Sequence, residues 1–231
     1  GSFDTGFAIA SMAAVATLLG CLPVAFGKAH SSLFNGLALI VSAIAMASVS
    51  VVELIPSALQ LDLGWQDSLF WLAAGALMYL VARWSPRLLT AKKESLFSSM
   101  LLVTVALTLH NIPEGTAAIA ATSADLETGI STGIAIGFQN LPEGLSIAAL
   151  TLAAGLSRIK AFGLVGISVL AEIFGAALIW LNQDYLTTEI NSHLLLAVGG
   201  LMLAISGFEL FPDGLRLLRE PKAGRKTPSH H

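Results

Sequence analysis

An all-α polytopic membrane bundle of about seven transmembrane helices is the fold class this sequence predicts, and three observations point there. The chain is 55% hydrophobic and 12% charged, with a mean hydropathy of +0.78, well outside the range of soluble globular domains. Its apolar residues gather into seven runs that read as bilayer spans. Charge falls between those runs in a one-sided pattern: if the runs alternate in direction, all twelve Lys and Arg residues share one side of the membrane.

The first run, 6–27, is too long for a signal-peptide core, lacks a basic leader and meets no cleavage site, so it reads as a helix. It holds Cys21, the single cysteine, which excludes a disulfide within the chain and reads as a buried, inert thiol. The second run, 33–60, carries Met46, and Glu53 three residues ahead of Pro56. The third, 68–82, is followed by a basic stretch over 83–95. The fourth, 97–122, contains His110-Asn111-Ile112-Pro113-Glu114-Gly115. The fifth, 129–154, repeats that string 29 residues later as Gln139-Asn140-Leu141-Pro142-Glu143-Gly144, with Ser146 just beyond. The sixth, 160–181, holds Glu172. The seventh, 193–215, holds Glu209 three residues before Pro212, then Asp213, and a basic tail over 216–231 follows. No Gly/Ser linker and no nucleotide-binding glycine pattern divides the chain, so 1–231 reads as one transmembrane domain with no nucleic-acid partner.

The loop charges set the orientation. Lys28, Arg83, Arg87, Lys92, Lys93, Arg158 and Lys160 lie on one side, together with Arg216, Arg219, Lys222, Arg225 and Lys226. Asp4, Asp62, Asp67, Asp125, Glu127, Asp184 and Glu189 lie on the other. The positive-inside rule makes the basic side cytoplasmic, which predicts an outside N-terminus and a cytoplasmic C-terminus in a cell (inner) membrane.

Six acids remain inside or at the ends of the apolar runs: Glu53, Glu114, Glu143, Glu172, Glu209 and Asp213. None has a Lys or Arg in the interior of its own run. An ionisable residue at the bilayer centre costs roughly 2.5–3.5 kcal/mol on insertion scales, so such groups mark an ion or substrate path and need protons or cations to offset them. Polar residues that merely join helices in membranes are mostly Ser, Thr or Asn, which leaves unpaired carboxylates poorly explained as packing.

Spacing adds geometry. Residues four apart share a helix face, so His110 projects with Glu114 and Gln139 with Glu143, while Asn111 and Asn140 point about 100° away. Pro113 and Pro142 remove a backbone donor and crowd the carbonyl four residues back, predicting Pro-kinked fourth and fifth helices around a polar cavity. Imidazole and carboxylate without thiolate suit Zn²⁺, Fe²⁺, Mn²⁺ or Cd²⁺ better than Cu⁺, and the histidine argues against a pure Mg²⁺ or Ca²⁺ oxygen site. Two carboxylates able to bridge make a two-ion site plausible. Glu53, Glu209, Ser146 and Asp213 are candidates for the ion's pathway, Asp213 also for a cap or a partner of Arg216. His30 and His193 read as isolated surface histidines. An enzyme reading has little to rest on, since no His-Glu-x-x-His zinc string is present.

The paired strings HNIPEG and QNLPEG resemble the fourth- and fifth-helix signature of the ZIP (Zrt/Irt-like) family of divalent-metal transporters, in its bacterial, GufA-like form. MASVSVVELIP at 46–56 is similar to that family's second helix, AEIFG at 171–175 to its sixth and GFELFP at 207–212 to its seventh. The resemblance implies a membrane transporter that moves a divalent ion, Zn²⁺ first among the candidates, toward the cytoplasm through a binuclear centre. The implied motion is an elevator-like displacement of a helix bundle. It also implies the ligands: His110, Glu114, Gln139 and Glu143, with Met46 as a further candidate, for one ion. Asn111, Asn140 and Glu172 would serve the other, with Glu114 and Glu143 shared. A selective metal-ion channel is the nearest alternative, an intramembrane metalloenzyme a more distant one. The family usually has eight spans, so the last is expected to be missing after 215. Beyond the bilayer and the transported ion the sequence leaves partners open, with a homodimer as one option.

Overall fold

The computed structural model describes residues 2–26, 31–60, 63–83, 96–185 and 187–220. Lys28, His30, Asp62, Arg87, Lys92, Lys93, Lys222, Arg225 and Lys226 lie outside the described residues. Among those described, secondary structure is helical throughout and forms seven rods. The first is α1 (Ser2–Leu19), continued after a turn by the short α2 (Leu22–Phe26). The second runs from α3 (Ser32–Val49) into α4 (Ile55–Leu59). Then come α5 (Trp65–Arg83), α6 (Leu96–Ala124), α7 (Leu126–Ala153) and α8 (Arg158–Leu181). The seventh rod runs from α9 (Thr188–Ile205) into α10 (Phe211–Arg219).

Local chemistry sets the ends of these rods. Ser31, Asp125, Ser157 and Thr187 each accept, through a side-chain oxygen, the backbone N–H three residues on, and so open α3, α7, α8 and α9. The exit from α7 is a Schellman turn. Gly155 N–H donates to Leu152 C=O at 2.9 Å and Leu156 N–H to Thr151 C=O at 3.2 Å, with Gly155 at φ +85°. A side chain there would be strained, and four residues, 154–157, carry the chain from α7 into α8.

Two rods contain a π turn, Ser50–Leu54 and Ser206–Leu210, closed by Ile55 N–H to Ser50 C=O and Phe211 N–H to Ser206 C=O. Each sits just before a proline, Pro56 or Pro212, whose ring crowds the carbonyl four residues back, and a widened turn relieves that clash. In each, the serine hydroxyl donates to a methionine carbonyl one turn earlier, Ser50 to Met46 at 3.0 Å and Ser206 to Met202 at 2.7 Å. At Pro142, by contrast, α7 remains α-helical throughout.

By length and composition, Ser2–Val24, Ser32–Leu59, Arg158–Leu181 and Thr188–Arg219 are candidate membrane spans among the described residues. Helices α6 and α7, at 29 and 28 residues, are also long enough, and the polar strings they carry dilute their hydropathy. Leu, Ile, Val and Phe side chains such as Val41, Ile44, Ile134, Phe138, Leu170 and Phe174 face outward. That is the arrangement expected where lipid is the solvent.

Helices α1, α6, α7 and α8 all touch one another and form a four-helix bundle. The other three rods make a layer beside it, with α5 against α9 and α3 against α10. The layer meets the bundle chiefly where α3 lies on α7 and α9 on α6. Near the acidic-loop end, Trp180 Nε1 donates to Asp4 Oδ1 at 2.8 Å and Phe7 packs on Trp180. Cys21 is buried. His193, expected at the surface, is half-buried and stacked on Trp71 with ring centroids 4.8 Å apart.

Candidate metal site

The polar strings fall at the middle of their helices, Asn111 on α6 and Gln139-Asn140 on α7, where a spanning helix is deepest in the bilayer. Asn111, Glu114, Gln139, Asn140, Glu143 and Glu172 are all at most 1% exposed. Gln139 Nε2 donates to Glu114 Oε2 at 3.1 Å and to Glu143 Oε1 at 2.9 Å, bridging the two repeats. Asn140 Nδ2 donates to both oxygens of Glu172, at 3.3 and 3.0 Å, and to Ala13 C=O at 2.8 Å. Asn111 Nδ2 donates to Ser168 Oγ and to Ser168 C=O, at 2.5 and 3.1 Å. Glu172 also shares a side-chain hydrogen bond with Glu114 and stands in the field of Glu143. Three carboxyl groups thus face one another in the bundle, and carboxyl groups at that range need a proton or a cation between them.

The amide groups explain how the arrangement holds together. The Gln139 NH₂ sits between Glu114 and Glu143, in the place a cation would take, the Asn140 NH₂ lies on Glu172 and the Asn111 NH₂ on Ser168. The amide oxygens, Asn111 Oδ1, Gln139 Oε1 and Asn140 Oδ1, are buried without a hydrogen-bond partner among the described residues. A half-turn of an amide exchanges its NH₂ for its oxygen, so a cation between the carboxylates would convert these orphaned oxygens into ligands. Among the described residues no three His, Cys, Asp or Glu side chains gather as a ligand set on their own. The interleaved amides account for that spacing. The His110 side chain, the expected imidazole ligand, lies outside the described ones; its backbone belongs to α6.

Four glycines bring the backbones close enough to build this site. A Cβ on Gly115 would stand 1.9 Å from Glu172 C=O, and one on Gly175 1.9 Å from Ile112 C=O. At the α1–α7 crossing, a Cβ on Gly144 would stand 1.9 Å from Thr17 C=O, and one on Gly20 2.1 Å from Leu141 C=O. The two crossings correspond: α6 with α8 repeats as α7 with α1, in a near two-fold relation. The hydrogen bonds obey it too, since Asn111 reaches the carbonyl of Ser168 and Asn140 that of Ala13. The glycine of each Pro-Glu-Gly string is therefore the contact that seats its helix against a partner.

The remaining candidates lie around this centre. Ser42 of α3 meets Ser146 of α7 at 3.3 Å and, farther along, Glu53 Oε1 accepts from Ser131 at 2.9 Å, so α3 and α7 run antiparallel. Met46, wholly buried, shares a helix face with Ser42 and falls level with roughly residues 140–141 of α7. Ser146 also donates to Pro142 C=O at 2.7 Å. Glu53 opens on a groove of about 780 Å³ that Asp125, Glu127 and Ser131 also line. Glu209 is buried and accepts from the Tyr79 hydroxyl. Asp213 pairs with Arg216 at 3.3 Å on α10, away from the carboxylate cluster. Sequence reasoning passed over Ser168, Ser131 and Tyr79. Of these only Ser168 carried a signal, its four-residue spacing from Glu172.

The family described as ZIP zinc transporter matches residues 89–227. A zinc transporter ZupT of Salmonella arizonae is 32% identical over 214 residues, covering 87% of this chain and 83% of the relative. Zinc transporters ZupT of Salmonella paratyphi A and Salmonella newport match at the same identity and coverage.

Proposed function

Since the chain belongs to the ZIP zinc transporter family, we propose that it carries Zn²⁺ across the cell (inner) membrane toward the cytoplasm, through a binuclear site between α6, α7 and α8. One ion is held by His110, Glu114, Gln139 and Glu143, with Met46 at its edge. The second is held by Asn111, Asn140 and Glu172, and Glu114 and Glu143 are shared between the two. Fe²⁺, Mn²⁺ and Cd²⁺ have compatible ligand chemistry. Membership in this family also sets the chain among transporters and not enzymes.

The observation that carries the reading is the meeting of Glu114, Glu143 and Glu172, buried at membrane depth on helices with no Lys or Arg near their midpoints. Divalent cations offset the charge of such a cluster, and amide oxygens are weak enough donors to let an ion leave.

An elevator-type carrier fits the packing. The carboxylates belong to the four-helix bundle and only Met46 comes from the layer beside it, so bundle and ions can shift as one body against α3, α5 and α9. Glu53 lines the approach from outside and Glu209 the release path, with Ser146 on the surface that changes partners. The N-terminus faces outward and the basic C-terminal tail inward, and a homodimer is the assembly we favour. Zn²⁺ uptake by the purified protein in liposomes tests the function. A rate that saturates with concentration supports the carrier, a rate that climbs linearly supports a pore, and no uptake at all overturns both.

A further inference from the structure

The near two-fold relation carries Gly115 onto Gly144, Ile112 onto Leu141, Asn111 onto Asn140, Gly175 onto Gly20 and Ser168 onto Ala13. The same operation carries Glu172 onto Thr17. Glu172 reaches across to Asn140, and the same operation would set its counterpart Thr17 on the side of Asn111. Thr17 is fully buried, and among the described residues neither its Oγ1 nor Asn111 Oδ1 has a hydrogen-bond partner. Thr104, Thr108 and Thr132 also bury hydroxyls without a partner among the described residues. Thr122 and Thr151 turn their hydroxyls back to the carbonyl four residues earlier, at 2.7 and 2.6 Å. For Thr17 that carbonyl belongs to Ala13, which instead accepts Asn140 Nδ2. The Thr17 carbonyl and methyl press on Gly144, next to Glu143.

We propose that Thr17 Oγ1, with Asn111 Oδ1, is a ligand of the second ion, standing where the two-fold relation would put a fourth carboxylate. This rests on the binuclear reading above and extends it to a fourth helix, α1. The chemistry gives the position a purpose. A hydroxyl and an amide oxygen are neutral, weak donors that suit a divalent cation tolerant of oxygen ligands, such as Zn²⁺ or Mn²⁺. A carboxylate there would add charge and hold the ion. A hydroxyl lets it depart.

Zn²⁺ titration calorimetry on purified Thr17→Val, Thr17→Ser and Thr17→Glu proteins, with liposome uptake alongside, tests this. Thr17→Val, nearly isosteric, should weaken one of the two Zn²⁺ sites about five- to tenfold. Thr17→Ser should restore it. Thr17→Glu should tighten binding while slowing uptake. A Thr17→Val protein that titrates like the parent overturns the proposal, and so does equal weakening in Val and Ser, which would place the effect in the methyl group. Should Thr17→Val fail to fold, Thr17→Ala against Thr17→Ser isolates the hydroxyl, and equal affinities in that pair also overturn it. Glu143→Ala, run in parallel, separates the two readings: if it keeps both Zn²⁺ sites the binuclear reading fails, and if it loses them while Thr17→Val is unaffected only the role of Thr17 fails.

Discussion

Each residue of the buried cluster has a distinct expected signature. Glu143 lies on the face of Gln139 and next to the Asn140 face, and the proposed arrangement shares it between both ions, so Glu143→Ala should abolish high-affinity binding together with uptake. A titration of that variant with two sites of parental affinity would sink the shared-ligand arrangement. Among the described residues Glu172 accepts from Asn140 and shares a hydrogen bond with Glu114, and the proposed arrangement gives it to one ion, so Glu172→Ala should lower the metal content by one ion and leave part of the transport. Metal-free but folded protein would contradict that division. Metal binding also requires ionised carboxylates and a neutral imidazole, and it therefore releases protons. Acidifying the outside from pH 7.5 to roughly 5.5 should raise the apparent KM at sub-saturating Zn²⁺, and a flat profile counts against competition at this cluster. These residues were legible from sequence because an acid in an apolar run is an anomaly that sequence alone displays. The amide geometry was not legible, since which end of Asn140 meets Glu172 depends on where α8 lies.

At the scale of helices, the close crossings make the sharpest claim. Gly144→Ala would drive a methyl to 1.9 Å from the Thr17 carbonyl, and neither backbone has room to withdraw without moving the site. A loss of about 1–3 kcal/mol is expected, the cost of overpacking, seen as a lower melting temperature and weaker metal binding together. Gly163, on α8, has nothing within 4 Å of its Cβ position, so Gly163→Ala should be neutral or stabilise by up to about 1 kcal/mol. Equal effects at the two glycines would mean that helix propensity, and not the crossing, governs both. The seven runs fixed the rods well, because length and hydropathy are local properties. The π turns were hidden: the sequence predicts kinks at Pro113 and Pro142, and only the folded backbone reveals a widened turn ahead of Pro56 and of Pro212. The reciprocal glycine partners were hidden for the same reason, since a crossing joins residues far apart in the chain.

For the molecule as a whole, orientation is the first thing to measure. With Cys21→Ser as background, Asp184→Cys should react with an impermeant thiol reagent added outside, and Ile159→Cys should not; the reverse pattern overturns the topology. Both positions are exposed and stand at opposite ends of α8. Three carboxylates facing one another also have an electrical consequence. Ionised, they carry three negative charges into the membrane. One divalent ion leaves the cluster with one negative charge in excess, and two divalent ions leave it with one positive charge in excess. In either state a bundle that moves through the bilayer does work against or with the transmembrane voltage, about 2.3 kcal/mol per charge for a full traverse of 100 mV. One divalent ion and one proton make the cluster neutral. Loaded in that way the bundle crosses without work against the voltage, which then acts on the return of the empty, negatively charged bundle instead.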